Sequence, residues 1–321
     1  MRSSLPATAS EYHRRGEPGQ PHRLILVFVD GVGLAPEGPD NVLGRAPTPT
    51  LRRLLGGPLT AERAAAAGTG ETVDLVALDA NLDVDGLPQS ATGQTALFTG
   101  VNAAAEIGRH VSAFPGQRLR RLIRRHGLLA RLGAAGHRAT FANAYSRSYL
   151  RDLAAGGARR SVTTCLVESA DLEFRDEADL VAGRAVSWDI TRELFAERTG
   201  AAVGSVTAGE AGGHLAVVAG RHRFTLFETF LTDLAGHRRI ALTPAEAIAR
   251  VDGLLGGLLA AAPPDLTLLV TSDHGNIEDG AGRLHTRNPV PLLAAGPAAS
   301  SFAGLRSILD VTPAVLACLA S

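Results

Sequence analysis

The chain has 321 residues with 32 basic and 32 acidic side chains, long enough to bury a sizeable core in one large domain or two ordinary ones. Zero net charge, with no evident basic stripe, RNA motif or acidic tail, argues against nucleic acid or an acidic polymer as partner. Two cysteines far apart, Cys165 and Cys318, argue for reduced thiols rather than a disulfide framework or structural zinc site. All 32 basic residues are arginine, so no lysine is available as catalytic base or phosphate clamp.

Residues 1–22 are polar, contain Pro and Gly, and lack the apolar core of a signal peptide, so they read as a disordered tail. With no run of about 18 apolar residues to span a membrane, a cytoplasmic protein is expected. RLILVFV (23–29) is a continuous apolar run, as expected of a strand buried on both faces. TPTLRRLLG (48–56) has a Thr cap, an early Pro and a closing Gly, the marks of a helix. TVDLVAL (72–78) is a second strand. SATGQTALFTG (90–100) is predicted to begin as a loop and continue as a short helix.

QRLRRLIRRHGLLARLGAAG (117–136) predicts a helix in two pieces, and HRATFANAY (137–145) a strand. The stretch 146–205 differs in character: charged and small residues alternate around Cys165, the single Trp188 and a helix near DITRELFAERTG. It reads as a small inserted cap on a domain spanning 23–321. Strand–helix alternation then resumes. A helix over GEAGGHLAVVAG, a strand at 223–231, a helix at 243–262, strands at 266–272 and 290–296, and a helix at 310–320 follow in turn. Alternating βα units predict an α/β fold of three αβα layers around a mostly parallel sheet.

Ligands of such sheets bind beyond the carboxyl ends of the strands. Asp30, Asp233 and Asp273 each follow a predicted strand, so three acidic residues are expected on one edge. Asp233 and His237 stand at i and i+4, which puts both on one face of a helical turn. Asp273 and His274 are neighbours whose side chains diverge unless the backbone turns sharply, and Gly275 supplies the freedom to turn. Mixed carboxylate and imidazole donors favour Zn²⁺ or Mn²⁺ over Ca²⁺ or Mg²⁺. Singly, each residue has an ordinary structural explanation as a cap, a turn former or a satisfied histidine.

FVDGVG followed by DNVLGRAPTPTLRRL, TSDHGNIED followed by HTRNPVPLL, and LDVTPAVLACL together resemble the alkaline phosphatase superfamily. The likeness is to the branch holding cofactor-independent phosphoglycerate mutase, phosphopentomutase and nucleotide pyrophosphatases. It covers 23–115 and 223–320 and fades over 146–205. The resemblance implies two divalent metal ions, one held by Asp30, Ser90, Asp273 and His274, the other by Asp233, His237 and His285. It implies that Ser90 is the nucleophile, by its offset from the glycine that ends the next helix, with Thr92 as the competing hydroxyl and Gly93 a shared position. The implied substrate is a small phosphorylated metabolite. A short cap and the missing lysine favour a phosphohydrolase over a phosphomutase, a phosphodiesterase or phosphonate hydrolase, or a non-catalytic metabolite-binding homologue. Asn41, Gln94, Arg109 and His110 are the candidate substrate contacts.

Overall fold

The computed structural model describes residues 22–66 and 73–321. The predicted tail, apart from His22, and Thr72 of the second predicted strand lie outside the described residues. Strand β1, Arg23–Val29, fixes the plan of the molecule. Its residues alternate between two cores: Leu24, Leu26 and Phe28 enter one hydrophobic cluster, and Ile25, Val27 and Val29 the other. A strand whose successive side chains are all buried needs a layer of helices on each face. The first core is shared with helices Ser90–Thr99, Gln117–His126, Val162–Ser169 and Val311–Ala320. The second is shared with helices Pro49–Leu55, Ala208–Ala219 and Pro244–Ala261.

The remaining strands are β2 (Val73–Leu78), β3 (Ala139–Phe141), β4 (Phe224–Thr229), β5 (Leu266–Thr271) and β6 (Val290–Ala295). They form one sheet in the order β2-β6-β5-β1-β4-β3. The pairs β1/β4, β1/β5 and β3/β4 are parallel, whereas β6 is antiparallel to both of its neighbours. The fold is therefore a mostly parallel three-layer α/β architecture with one reversed strand. Because β5, β1 and β4 are adjacent and parallel, the turns that follow them open onto the same edge of the sheet.

Two predicted elements differ. The predicted strand at 137–145 shrinks to Ala139–Phe141, because only there does the chain pair regularly with β4. The predicted loop at the start of SATGQTALFTG is absent: the helix begins at Ser90 itself and ends at Gly100, which takes the left-handed conformation. In the stretch 146–205, helix Val162–Ser169 belongs to the first core. Leu180, Ala185, Phe195 and Val203 form a small separate cluster with Ala144. Trp188 ties that cluster to the strand edge by stacking on Phe230, ring centroids 4.4 Å apart and 8° from parallel. Among the described residues no helix is long and apolar enough to cross a membrane.

Candidate metal centre

The turns after β1, β4 and β5, the segment before β6 that carries His285, and one helix start deliver the seven predicted residues to a single place. Asp30 follows β1 directly, and Gly31 takes φ +75°. That conformation strains any residue with a Cβ, and a Cβ would also stand 3.0 Å from that of Asp233. After β4 the chain enters a short helical turn, Leu231–Gly236, that carries Asp233 in its first turn and His237 as its C-cap. The expected i, i+4 relation holds, with His237 Nε2 3.2 Å from Asp233 Oδ1. After β5, Asp273 and His274 are fully buried. They do not diverge as neighbours in an extended chain would, since Asp273 Oδ2 is 3.7 Å from His274 Nε2. Gly275 is needed for space rather than backbone freedom. A Cβ there would fall 2.2 Å from both Glu278 Oε1 and Thr286 Oγ1.

Ser90 opens its helix with its hydroxyl 3.0 Å from His274 Nε2, and that nitrogen lies 3.2 Å from Asp30 Oδ1. The helix can lie this close because residue 93 is glycine: a Cβ would be 2.9 Å from the Asp273 carbonyl oxygen. Thr92 is turned away from the cluster, its hydroxyl donating to the Gln89 carbonyl and accepting from the Val111 amide. Gln94 reaches the cluster, donating from Nε2 to Asp30 Oδ2 at 3.1 Å. The other three candidate contacts do not. Asn41 caps its own helix and donates to the carbonyls of Ala35 and Pro36. His110 bonds the Val84 carbonyl, and Arg109 is exposed to solvent.

The donor atoms fit a cation. His237 Nδ1 donates to the Arg283 carbonyl and His285 Nδ1 to the Pro88 carbonyl, both at 2.7 Å. Each ring therefore presents a bare Nε2 lone pair. These two nitrogens are 3.1 Å apart, and Asp233 Oδ1 lies 3.6 Å from that of His285. Three lone-pair donors facing one another need either a proton on one ring or a metal ion between them. In the neighbouring cluster, Asp30 Oδ1, both Asp273 carboxylate oxygens and His274 Nδ1 are buried without a hydrogen-bond partner. Buried carboxylates left in that state are costly unless a cation compensates them. Ligand atoms of Asp233, His237 and His285 lie within 4.8 Å of one another, as do those of Asp30, Asp233 and His274. Asp233 thus stands between the two groups.

Charge follows the same geometry. Burial, and then repulsion from the Asp273 and Asp233 carboxylates, pushes Asp30 well above the usual carboxylate range. Burial and the Asp233 charge do the same to Asp273. Burial would also raise Asp233, but its interaction with the His237 and His285 rings outweighs this and holds its carboxyl well below that range. Burial, reinforced by repulsion from His285, drives His274 down to about 3, so its imidazole is neutral. Its ring stacks on that of His285 at 3.7 Å.

Residues that were not singled out in the sequence hold this arrangement together. Glu278, 1% exposed, accepts hydrogen bonds from the Gly33 and Asn276 amides, the Thr286 hydroxyl and Asn288 Nδ2. It thereby ties the Asp30 turn to the His274 and His285 turns. Asn276 donates to Asp233 Oδ1 at 2.9 Å, and Thr232 to the Asp30 carbonyl. Glu228, near the end of β4, is buried with Oε2 unpartnered, and burial pushes its carboxyl up to about 7. The only sequence hint of Glu278 was its place in the DHGNIED run.

A family model for the metalloenzyme superfamily matches residues 211–320. The phosphopentomutase of Hahella chejuensis is 30% identical over 247 residues, covering 69% of this chain and 55% of that enzyme. The phosphopentomutase of Chromohalobacter salexigens is 46% identical over 63 residues, 20% of this chain and 15% of that enzyme. A 2,3-bisphosphoglycerate-independent phosphoglycerate mutase of Cellvibrio japonicus is 34% identical over 93 residues, 26% and 18% of the two chains. The chain thus spans about half the length or less of the curated relatives it matches. Among solved structures, the PH0037 protein from Pyrococcus horikoshii superposes with a TM-score of 0.56 at 14% identity, covering 94% of this chain and 97% of that one. The alkaline phosphatase from the Antarctic bacterium TAB5 gives 0.51 at 15% identity, covering 94% and 98%. At these identities the likeness is one of fold.

Proposed function

Since this chain is a metalloenzyme-superfamily member with an alkaline phosphatase-like fold, we propose that it is a two-cation phosphohydrolase that cleaves a small phosphomonoester through a phosphoserine at Ser90. The observation that carries the reading is the Ser90 hydroxyl 3.0 Å from His274 Nε2, at the start of a helix and beside buried carboxylates with orphaned oxygens. Asp30, Ser90, Asp273 and His274 would hold one ion, and Asp233, His237 and His285 the other. Zn²⁺ or Mn²⁺ suits this mixture of nitrogen and oxygen donors. When bound, such ions lower the pKa of a coordinated hydroxyl and neutralise charge on phosphate oxygens.

The chain's own groups supply the rest. Ser90 is the nucleophile, forming the bond to phosphorus as the alcohol leaves. Water then releases phosphate and restores the hydroxyl. The helix that Ser90 opens directs its positive dipole end at the incoming anion. Gln94 holds the Asp30 carboxylate in orientation through its amide, and Glu278 fixes the Asp30 turn relative to the segments that carry His274 and His285, as outer partners of metal ligands do.

Hydrolysis is preferred to transfer because little of the 146–205 stretch is free to enclose a reorienting intermediate. Its longest-buried helix, Val162–Ser169, is committed to the first core, and a mutase must exclude water while its substrate turns. The second reading, a phosphomutase, is favoured by the phosphopentomutase and phosphoglycerate mutase relatives. A panel of phosphomonoesters, phosphodiesters and phosphoglycerates, assayed with Mn²⁺ and with Zn²⁺, separates the two. Free phosphate from monoesters without isomerisation is expected. Interconversion of phosphoglycerates or pentose phosphates without phosphate release would install the mutase instead.

A further inference from the structure

The net charge of zero conceals a strong segregation. Between Ile107 and Arg151 lie 45 residues without one Asp or Glu, and they carry ten of the 32 arginines. The rest of the chain sets 22 arginines against 32 acidic residues. Helix Gln117–His126 concentrates the basic block: it turns Leu119 and Ile123 into the core and leaves Arg118, Arg121, Arg124 and Arg125 exposed. Among the described residues none of these four is in an ion pair. Like charges three and four apart on a helix disfavour it, yet no acidic residue of the helix relieves them.

Arg118, Arg121 and Arg125 line a groove of about 670 Å³ together with Val101, Glu106 and Ile107. Along the helix these three guanidinium groups span roughly 10 Å, a row suited to successive phosphates, and each guanidinium can take two phosphate oxygens at once. No Phe, Tyr or Trp lines the groove to stack a base. An anionic lipid surface fits less well. Peripheral helices bind bilayers with an exposed apolar face, whereas here that face is in the core and Phe114 is the one large hydrophobic side chain exposed within the block.

We propose that this face binds the sugar–phosphate backbone of a nucleic-acid strand without regard to base sequence. The site is separate from the metal-binding cluster: the groove lies past the C-terminal end of the helix whose first residue is Ser90, about 15 Å along its axis. The even charge balance of the whole chain conceals this basic block.

The test is fluorescence anisotropy of labelled mixed-sequence RNA and DNA oligonucleotides titrated with the full chain, beside flotation with phosphatidylglycerol vesicles. Three phosphate contacts on a single strand predict about a 20-fold loss of affinity between about 50 and about 200 mM salt. The triple variant Arg118→Glu, Arg121→Glu, Arg125→Glu is expected to weaken low-salt binding at least about tenfold, with its melting temperature confirming the fold. Should that variant not fold, the corresponding triple Gln variant replaces it, with the same loss expected. Absence of salt-dependent binding, unchanged affinity in the variant, or binding to vesicles but not to oligonucleotides would each overturn the proposal.

Discussion

Glu228 and Glu278 are both buried glutamates near the candidate metal centre, and the surroundings of each decide its chemistry. Glu278 meets four hydrogen-bond donors, whereas Glu228 has an unpartnered oxygen and an affinity for its proton raised to about 7 by burial. The folded state thus holds that proton more tightly than the unfolded chain does. Its contribution is most favourable below the ordinary glutamate value and is lost as pH rises from there through about 7. For metal-free protein this amounts to a loss on the order of 3 kcal/mol across that window. Thermal melts between acid and neutral pH should show a flatter pH dependence in Glu228→Gln than in the native chain; equal slopes would contradict it. Neither residue was legible in the sequence. The gathering of the seven predicted side chains was, because Asp, His and Ser beside strand ends and glycines form a recognisable chemical set. A carboxylate whose partner is the amide of a residue 245 positions away leaves no local pattern.

Secondary structure was legible where one residue pattern allowed one element. The apolar run of β1 came through unchanged, and the two-piece helix did so with its break at Gly127 and its end at Ala134. The reversal of β6 did not, since an apolar run announces burial on both faces and carries no direction. The tightest helix contact was equally hidden. Helices Ala208–Ala219 and Pro244–Ala261 approach so closely that a Cβ on Gly212 would stand 2.2 Å from the Leu254 carbonyl oxygen, and one on Gly257 2.0 Å from that of Gly209. These glycines, unfavourable for an isolated helix, are kept for the backbone contact. Gly212→Ala should therefore destabilise the protein by about 1–3 kcal/mol through overpacking, despite alanine's better helix propensity. A melting temperature equal to or above that of the native chain would show that the helices can separate without loss.

Across the whole molecule, three strands from distant parts of the chain bring Asp30, Asp233 and Asp273 together, and folding concentrates negative charge that the unfolded chain keeps dispersed. Divalent cations that bind only the folded state stabilise it by mass action, by about 2.7 kcal/mol at a hundredfold excess over the dissociation constant. Chelation is thus expected to lower the melting temperature, and added Mn²⁺ or Zn²⁺ to restore it in the native chain but much less in Asp233→Ala. Equal restoration in both would mean that the ion binds elsewhere. The central claim is covalent phosphoryl transfer through one hydroxyl. Its most direct test is mass spectrometry of acid-quenched protein after incubation with metal and a phosphomonoester, with peptide mapping of any adduct. A phosphoryl group on Ser90 in the native chain, and neither adduct nor turnover in Ser90→Ala, is the predicted result. Full turnover by Ser90→Ala, or a phosphoryl group carried on Thr92 instead, would contradict it.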